Sequence, residues 1–248
     1  MEYKITYLDK ERIRYIKEGK GKALLFLHGF TISPHNYNSL IENLADEFTV
    51  IAPELHGINN QGNSQRTLDT YVSLTHDFCE KFGSFDYIVG HSLGAYIGLR
   101  FIGDLSKNKS IMAINPVLPM NYGIFGFLIR SLKKELKQVF GFYDGIKSIP
   151  KGLSLTAQST WYILNNLNDS VRTVMDISRC SYDGLRIKQP TLILFSENDE
   201  YFSLDNRIEG QLKQHFDKLE IKRLKSYGHD WPLFMPKEAS QEIKDFLL

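Results

Sequence analysis

Short and almost uninterrupted apolar runs recur along this sequence and alternate with segments of helical spacing. The runs cover Ala23 to Leu27, Phe48 to Ala52, Tyr87 to Val89, Ile111 to Ile114 and Thr191 to Phe195. Runs of this kind are typical of parallel strands that are buried on both faces. The helical segments are Tyr37 to Leu44, Leu68 to Phe82 and Leu93 to Ile102. The alternation predicts an α/β fold with a mostly parallel central sheet and helices on both of its faces.

The two ends of the chain add elements to this predicted sheet. Tyr3 to Leu8 and Ile13 to Ile16 alternate polar and apolar residues around the turn-prone Asp9-Lys10, which predicts an antiparallel hairpin at a sheet edge. Near the other end, the pattern predicts a helix over 205–216, a strand over 219–224 and a last helix from Pro236.

The strand pattern stops after Pro116 and returns at Pro190. Between about 118 and 181 we find helical spacing and many aromatic residues, but no run typical of a buried strand. We therefore predict one core made of residues 1–117 and 182–248, with residues 118–181 as a helical insertion. Phe125, Phe127 and Trp161 are the aromatic residues of this insertion that we expect to contact substrate, although such residues equally often form an insertion's own core.

Charge and cysteine content exclude several classes of function. Lys and Arg total 30 against 29 Asp and Glu, so the net charge of +1 does not favour binding to nucleic acid. The basic cluster Arg130, Lys133, Lys134 and Lys137 is interpreted as the solvated face of a helix. No apolar run approaches the roughly 20 residues that cross a bilayer, so we expect no stable membrane insertion. The start lacks the features of a secretory signal, and the two distant cysteines suggest neither a disulfide framework nor a zinc site, so we expect a cytoplasmic protein.

The segment Gly90-His91-Ser92-Leu93-Gly94 has the pattern Gly-x-Ser-x-Gly between a predicted strand and a predicted helix. This context is the one that a nucleophile elbow requires, because the serine must sit on a tight turn above the sheet. Glycines on both sides remove side chains that would collide in that turn. The alternative is a glycine-rich turn without chemistry. We predict Ser92 as a catalytic nucleophile.

A serine hydroxyl is a weak nucleophile at neutral pH and needs a neighbouring base. His229 is the candidate, because it lies in a loop between the last predicted strand and the last predicted helix. Such sheets place their sites at the carboxyl ends of strands. The alternative is that His229 only forms a hydrogen bond within its loop.

The base in turn needs a carboxylate that orients its ring and stabilises the imidazolium. Asp199 lies just past the apolar run 191–195, within Ser196 to Glu200, and is our choice, while Glu197 and Glu200 remain local alternatives. The other position at which an acid could stand, after the run 111–114, holds Asn115, which cannot carry the charge. The chain order Ser, Asp, His is the one expected for this type of sheet.

The developing negative charge of the reaction needs backbone N–H donors. His28-Gly29-Phe30 follows the apolar run 23–27, so Phe30 could supply one donor and Leu93 the other, at the start of a helix. The alternative is that His28-Gly29-Phe30 is only a turn.

Through His28-Gly29-Phe30, the serine elbow, Asp199 and Gly228-His229, the chain resembles the α/β-hydrolase superfamily, in particular its serine esterases and lipases. The resemblance implies that 118–181 is a cap domain and that Phe30 and Leu93 form the oxyanion hole. Members that are haloalkane dehalogenases or epoxide hydrolases carry an aspartate at the elbow, where this chain has a serine. The loop after the second apolar run departs from the usual Asp-x-Arg/Pro-Gly-x-Gly pattern, since Glu54 to Gly57 are followed by Ile58 to Gly62.

The expected activity is hydrolysis of a carboxylic ester of a small apolar substrate through an acyl-enzyme, without a metal or a cofactor. Two other classes stay open, because one fold hosts many functions. The first is a lyase or another non-hydrolytic enzyme that uses the same residues. The second is a ligand receptor with little turnover.

Overall fold

A computed structural model of the chain describes residues 1–8, 11–55, 67–101, 110–120, 122–140 and 145–248. Some of the sequence positions discussed above lie outside the described residues, namely the Asp9-Lys10 turn, the segment from His56 to Gly62, and Ile102. The same is true of Phe142 and Tyr143, two further aromatic residues of the insertion.

The described residues form eight strands that join in one sheet. They are β1 (Lys4–Leu8), β2 (Glu11–Glu18), β3 (Lys22–Leu27), β4 (Phe48–Pro53), β5 (Tyr87–His91), β6 (Ser110–Ile114), β7 (Thr191–Ser196) and β8 (Leu219–Leu224). Their order in the sheet is β1-β2-β4-β3-β5-β6-β7-β8. The pairs β1/β2 and β2/β4 are antiparallel, and all other pairs are parallel. The predicted fold class and the predicted edge hairpin are confirmed.

Helices connect these strands and cover both faces of the sheet. They are α1 (Asn38–Leu44), α2 (Leu68–Phe82), α3 (Leu93–Phe101), α4 (Ile124–Val139), α5 (Ile149–Asn165), α6 (Leu167–Ser178), α7 (Asn206–Lys213), α8 (Trp231–Phe234) and α9 (Pro236–Leu247). Short 3-10 helices at Pro34–Tyr37 and Gly145–Ser148 precede α1 and α5.

Residues along β3 show how the sheet separates two cores. Leu25 and Leu27 pack with residues of α2 and α3, while Leu24 and Phe26 pack with residues of α1 and α9. All four are fully buried. Because successive side chains of a strand point to opposite faces, a continuous apolar run is what a strand between two helix layers requires.

Helix α7 is shorter than the sequence predicts. The side chain of Asp205 caps it by accepting a hydrogen bond of 2.8 Å from the backbone N–H of Ile208, and the helix ends at Lys213. His215, which we placed on this helix, lies beyond its end and its Nδ1 is 3.2 Å from the carbonyl oxygen of Leu185. We predicted that the helix would continue to the apolar residue Phe216. In the structure, Phe216 instead forms an isolated parallel β-bridge with Ile187.

The chain between β6 and β7 contains α4, α5 and α6, and no strand is present among its described residues. Helix α5 approaches α4 closely at Gly152, where a Cβ atom would lie 2.3 Å from the carbonyl oxygen of Gln138. These three helices occupy the segment that we predicted as an insertion. Among the described residues, no helix is long and apolar enough to cross a membrane.

Candidate active site

Ser92 lies on the tight turn between β5 and α3. Its φ angle is 55°, a conformation that costs energy for a residue with a side chain. A Cβ atom on Gly94 would lie 2.2 Å from the carbonyl oxygen of Leu27, and one on Gly90 would lie 2.5 Å from the backbone nitrogen of Ala95. The two glycines therefore allow the close approach of helix and sheet on which this turn depends.

His229 reaches Ser92 from the loop between β8 and α8. Its Nε2 lies 2.8 Å from the Oγ of Ser92, within hydrogen-bond distance. The imidazole is almost completely buried, with 4% of the residue exposed. This contact joins positions that are 137 residues apart in the chain.

Asp199 follows β7 and lies on the other side of the imidazole. Its Oδ2 is 2.6 Å from Nδ1 of His229, and its side chain has no exposed surface. The second carboxylate oxygen, Oδ1, accepts hydrogen bonds from the backbone N–H groups of Tyr201 (2.8 Å) and Phe202 (3.0 Å). Three side chains from three loops thus form one hydrogen-bonded chain from carboxylate to hydroxyl.

The two glutamates that competed with Asp199 have other positions. Glu200 is buried, but its Oε2 accepts a hydrogen bond of 2.9 Å from the backbone N–H of His229 and not from the ring. Glu197 is exposed. The geometry therefore favours Asp199 as the carboxylate that orients the imidazole.

Asn115 and His91 both contact the backbone oxygen of His229 and so hold its loop in place. The Nδ2 of Asn115 donates to the backbone oxygen of His229 (2.8 Å) and to Oγ of Ser196 (3.0 Å), and its Oδ1 accepts from the backbone N–H of Ser196 (2.8 Å). Nε2 of His91 lies 3.0 Å from the same oxygen of His229. Sequence reasoning noted Asn115 only as a residue that cannot serve as the acid. The signal that could have identified its role is an amide with both donor and acceptor at the end of a buried strand.

Backbone strain is concentrated around this arrangement. Among the described residues other than glycine, positive φ angles occur at Thr31 (65°), Ser92 (55°) and Asn115 (44°). Thr31 directly follows Phe30, and Asn115 directly follows β6. Since conformations of this kind persist only where the surroundings enforce them, their clustering makes this end of the sheet a candidate functional site.

The electrostatic environment distinguishes the two histidines of the site. Burial lowers the pKa of His229, but the charge of Asp199, its hydrogen bond and the charge of Asp230 outweigh burial, so the pKa lies above the ordinary value of 6.5. Burial, with a smaller contribution from the charge of His229, lowers the pKa of His91 to about 4. His91 is therefore neutral at physiological pH, whereas the protonated form of His229 is favoured relative to that of a free histidine.

A cavity of about 280 Å³ opens beside Ser92 and His229. Much of its wall is apolar and comes from the segment between β6 and β7: Val117, Phe127, Leu128, Ile163, Leu167, Val171, Val174 and Ile177. The loop 225–230, which carries His229, is called the base loop below. Polar groups of α4 and of the base loop also reach the cavity, namely Ser131, Lys134, Glu135 and Asp230. An apolar cavity with a few polar groups is the usual form of a small-molecule site.

The structure brings only one of the three predicted substrate-contacting aromatics to this cavity. Phe127 lines it, whereas Phe125 and Trp161 do not and are 76% and 71% exposed. Residues two apart on a helix point to nearly opposite sides, so Phe125 points away when Phe127 faces the cavity. On α5 the cavity is lined by Ser159 and Ile163, which places Trp161 on the outer side for the same reason. The structure therefore does not bring Phe125 and Trp161 to this cavity, contrary to what their aromatic character suggested.

The two predicted oxyanion donors both lie near Ser92. Phe30 lines the cavity, and Gly29 before it is so close that an added Cβ atom would lie 3.5 Å from Cβ of Ser92. Leu93 is the first residue of α3 and is fully buried, so its contribution would come from its backbone N–H. The first N–H groups of a helix have no partner within the helix.

One group of potential metal ligands lies at this site, formed by His91, His229 and Asp230, with ligating atoms within 4.8 Å of one another. Their nitrogen atoms already have protein partners. Nδ1 of His91 lies 2.6 Å from the hydroxyl of Tyr37, and both ring nitrogens of His229 contact Ser92 and Asp199. These donors do not fit a metal site, and we assign none to them.

The basic cluster on α4 is only partly the solvated face that its sequence suggested, since Arg130 is exposed. Lys133 is exposed, but Lys134 is buried, with its Nζ 3.0 Å from Oδ2 of Asp230. The Nζ of Lys137 lies 2.5 Å from Oε1 of the buried Glu200. The prediction is therefore wrong for Lys134, while Lys137 is partly exposed and pairs with a carboxylate that lies far away in the sequence.

Comparison with known proteins agrees with this architecture. The sequence profile described as "Alpha/beta hydrolase family" matches residues 24–242. Curated relatives include a dihydrolipoyllysine-residue acetyltransferase component of an acetoin cleaving system from Cupriavidus necator, 28% identical over 55% of this chain and 39% of the relative. A soluble epoxide hydrolase from Corynebacterium sp. is 33% identical over 38% of this chain and 34% of the relative. The chain thus spans well under half the length of these curated relatives.

Solved structures resemble nearly the whole chain. A serine hydrolase from Cycloclasticus zankles has a TM-score of 0.79 at 16% identity, covering 99% of this chain and 97% of its own. An epoxide hydrolase from Bacillus megaterium has a TM-score of 0.70 at 19% identity, covering 98% and 99%. At these identities the likeness shows the fold alone. Together with the profile that matches most of the sequence, it shows that the chain belongs to the alpha/beta hydrolase family.

Proposed function

We propose that this protein is a serine hydrolase that cleaves a carboxylic ester of a small apolar substrate. Ser92 is the nucleophile, His229 its base, and Asp199 the acid that orients the base. The observation that carries the proposal is the continuous chain of contacts, 2.6 Å from Asp199 to His229 and 2.8 Å from His229 to Ser92, at the wall of an apolar cavity.

In the first half of the reaction, Nε2 of His229 takes the proton of the Ser92 hydroxyl while Oγ attacks the carbonyl carbon of the ester. The bond between this carbon and the alcohol oxygen then breaks. The imidazolium of His229 gives its proton to the departing oxygen, so an alcohol leaves and an acyl group stays on Ser92. Asp199 stabilises the transient imidazolium, which its fully buried carboxylate can do without competition from water.

In the second half, His229 takes a proton from water, and the resulting hydroxide attacks the acyl carbon. The bond to Oγ of Ser92 breaks, Ser92 regains the proton from His229, and a carboxylic acid leaves. In both halves, the backbone N–H groups of Phe30 and Leu93 would stabilise the negative charge on the substrate oxygen.

The substrate class is inferred from the cavity wall. Val174 and Ile177 of α6 are buried there, and Phe127 covers it from α4. The apolar lining extends outward to exposed residues of all three helices, Leu128, Ile163 and Leu167. Burial of apolar groups contributes about 0.8 kcal/mol per CH₂, so an apolar acyl or alcohol part gains most from this wall. We propose that residues 118–181 act as a cap that supplies this wall.

The serine at the elbow distinguishes this proposal from epoxide hydrolysis, which the name of one relative suggests. A serine at position 92 forms an ordinary ester with an acyl group, and the neighbouring histidine can activate water for its cleavage. The same residues would also serve a lyase, and the same cavity would serve a receptor. These two alternatives are separated from the proposal by experiment.

The experiment is a turnover assay with nitrophenyl esters of increasing acyl length, on the wild type, Ser92→Ala and Ser154→Ala. Ser154 is an exposed serine of α5 that does not line the cavity, so it serves as the matched control. We expect the wild type and Ser154→Ala to turn over short-chain esters, and Ser92→Ala to lose at least about 10⁴-fold in kcat.

Each alternative gives a different result in the same assay combined with fluorophosphonate labelling. Labelling of the wild type without ester turnover would favour a lyase. Saturable binding of an apolar ligand without labelling or turnover would favour a receptor. Equal turnover by the wild type and Ser92→Ala would contradict the assignment of Ser92 altogether.

A further inference from the structure

Helix α4 has an inverted pattern of exposure. Its large apolar residues Phe125, Leu128, Ile129, Leu132 and Leu136 are exposed. Its opposite side, which faces the loops at the carboxyl end of the sheet, is polar and contains Arg130, Lys134, Lys137 and Gln138. Surface helices normally turn their apolar side inward. Of the charged residues on the inner side, Arg130 is exposed, Lys137 is partly buried and Lys134 is buried, so the desolvation of the two lysines must be offset by close partners.

The partners of this inner side follow the proposed acid and the proposed base directly in the chain. Glu200 comes after Asp199, and Asp230 comes after His229. Both carboxylates are buried, with 4% and 6% of each residue exposed. One helix thus holds the neighbour of the acid and the neighbour of the base.

The contact with the base loop is made by Lys134. Its Nζ lies 3.0 Å from Oδ2 of Asp230 and 3.1 Å from Oε1 of Glu135. The amide of Gln138, one helical turn further along, also donates to Oδ2 of Asp230. A buried charge pair is stable only when its geometry is good and its remaining hydrogen-bonding groups are satisfied. Here Lys134 and Gln138 both donate to the same carboxylate oxygen of Asp230, which fixes the geometry of the pair.

Lys137 and Arg130 contact the acid loop, which is the loop 197–205 that carries Asp199. Nζ of Lys137 lies 2.5 Å from Oε1 of Glu200, and a guanidinium nitrogen of Arg130 donates to the backbone oxygen of Glu200 at 2.9 Å. The other carboxylate oxygen of Glu200 accepts from the backbone N–H of His229 at 2.9 Å. Glu200 therefore connects α4, the acid loop and the base loop at a single point.

We propose that Lys134 and Lys137 are positioning residues, which hold the loops of His229 and Asp199 in catalytic alignment by binding Asp230 and Glu200. Neither lysine is assigned a contact with the reacting atoms. The proposal rests on the proposed function for its catalytic consequence, but the coupling between α4 and the imidazole can be measured without substrate.

Several titratable or charged groups face the imidazole of His229. They are Asp199, Glu200 and Tyr201 of the acid loop, His91 at the end of β5, Asp230 of its own loop and Lys134 of α4. Among these, the charge of Asp230 raises the pKa of His229 and the charge of Lys134 lowers it. Removal of the two partners separately should therefore move this pKa in opposite directions, which a purely structural defect would not do.

The test compares Lys134→Met, Asp230→Asn and Lys133→Met, with the pKa of the His229 ring measured by NMR titration of its Cε1–H signal. Lys133→Met is the matched control, because Lys133 is exposed on the same helix. We expect a higher pKa in Lys134→Met, a lower pKa in Asp230→Asn, and the wild-type value in Lys133→Met. If Lys134→Met does not fold, the double variant Lys134→Met/Asp230→Asn replaces it: we expect a His229 pKa above that of Asp230→Asn, and an equal or lower pKa would overturn the proposal.

Kinetics provide the second readout through Lys137, which does not line the cavity. We expect Lys137→Met to lower kcat about tenfold or more with little change in KM, since small misplacements of catalytic groups cost up to about 10²-fold. Lys137→Arg, which keeps the cation, should restore most of kcat. Wild-type kcat in Lys137→Met, or equal shifts of the His229 pKa in Lys134→Met and Asp230→Asn, would overturn the proposal. Absence of ester turnover in the wild type with the expected NMR shifts would instead contradict the proposed function alone.

Discussion

The carboxylate of Asp199 lies 2.6 Å from Nδ1 of His229 and is held in place by two backbone N–H groups of its own loop. Because this contact keeps the proton on Nδ1, it leaves Nε2 free to accept the proton of Ser92. An amide in place of the carboxylate can keep the shape but favours the wrong tautomer.

We therefore predict that Asp199→Asn lowers kcat for a short-chain ester by about 10⁴-fold. Asp205→Asn is the matched control, because Asp205 is an exposed cap of α7 and asparagine caps helices equally well. Steady-state kinetics on the purified variants measure the effect. A loss of less than about tenfold in Asp199→Asn would show that this carboxylate does not orient the base.

The pH dependence of activity follows from the environment of His229. Burial lowers its pKa, but the charge and the hydrogen bond of Asp199 together with the charge of Asp230 outweigh burial and raise the pKa above 6.5. As the pH falls, the imidazole is therefore protonated, and lost as a base, at a higher pH than a free histidine would be. We predict that kcat/KM decreases on the acid side with a midpoint above 6.5. His91 cannot produce this limb, since its pKa is lowered to about 4.

A pH profile of kcat/KM between about pH 5 and 9 tests this prediction, because it reports the ionisation of the free enzyme. A flat profile, or a midpoint below 6.5, would contradict the assignment of His229 as the base.

The elbow should tolerate no side chain at position 94. Gly94→Ala would place a Cβ atom 2.2 Å from the backbone oxygen of Leu27, and backbone in a buried sheet cannot move aside cheaply. We predict a loss of at least about 3 kcal/mol in the free energy of unfolding, which lowers Tm by roughly 6–12 °C.

The control for this change is Gly210→Ala, in the middle of α7, where an added Cβ atom meets nothing within 4 Å. Alanine should stabilise this helix by up to about 1 kcal/mol. Thermal unfolding of both variants measures the difference. Equal Tm values for Gly94→Ala and the wild type would show that the turn is looser than the structure indicates.

Substrate length should depend on the α6 wall of the cavity. Val174 is buried and lines it, whereas the neighbouring Met175 is partly exposed and does not. We predict that Val174→Phe shifts the preferred acyl chain to a shorter length, and that Met175→Phe leaves it unchanged. The ratio of kcat/KM for short and long nitrophenyl esters measures the shift. The same ratio in both variants would show that the substrate does not occupy this part of the cavity.

Local patterns in the sequence predict the fold because each buried strand and each core helix carries its own signal. The limits of α2 and of β8 agree residue for residue with their predicted ranges. The position of Ser92 follows from the same logic, since it comes directly after the apolar strand β5, and Asp199 lies three residues beyond the apolar strand β7. His229 follows β8, whose pattern is less apolar, and was identified from its loop between the last strand and the last helix.

Contacts between distant segments do not leave such a local signal. The spacing on α4 shows that Lys134 and Lys137 share a side of the helix, but not that Asp230 and Glu200 lie opposite them. Aromatic character also predicted that Phe127 and Trp161 would both contact substrate, although only Phe127 lines the cavity. The side that a helix turns inward depends on its tertiary partners, which a single sequence does not specify.

Peptide mass spectrometry after reaction with a fluorophosphonate shows whether His229 makes Ser92 nucleophilic. We expect one phosphonyl adduct on the peptide that contains Ser92 in the wild type, and at least about 10³-fold slower labelling in His229→Ala. An adduct on a different residue, or labelling of Ser92 at an equal rate in His229→Ala, would contradict this expectation.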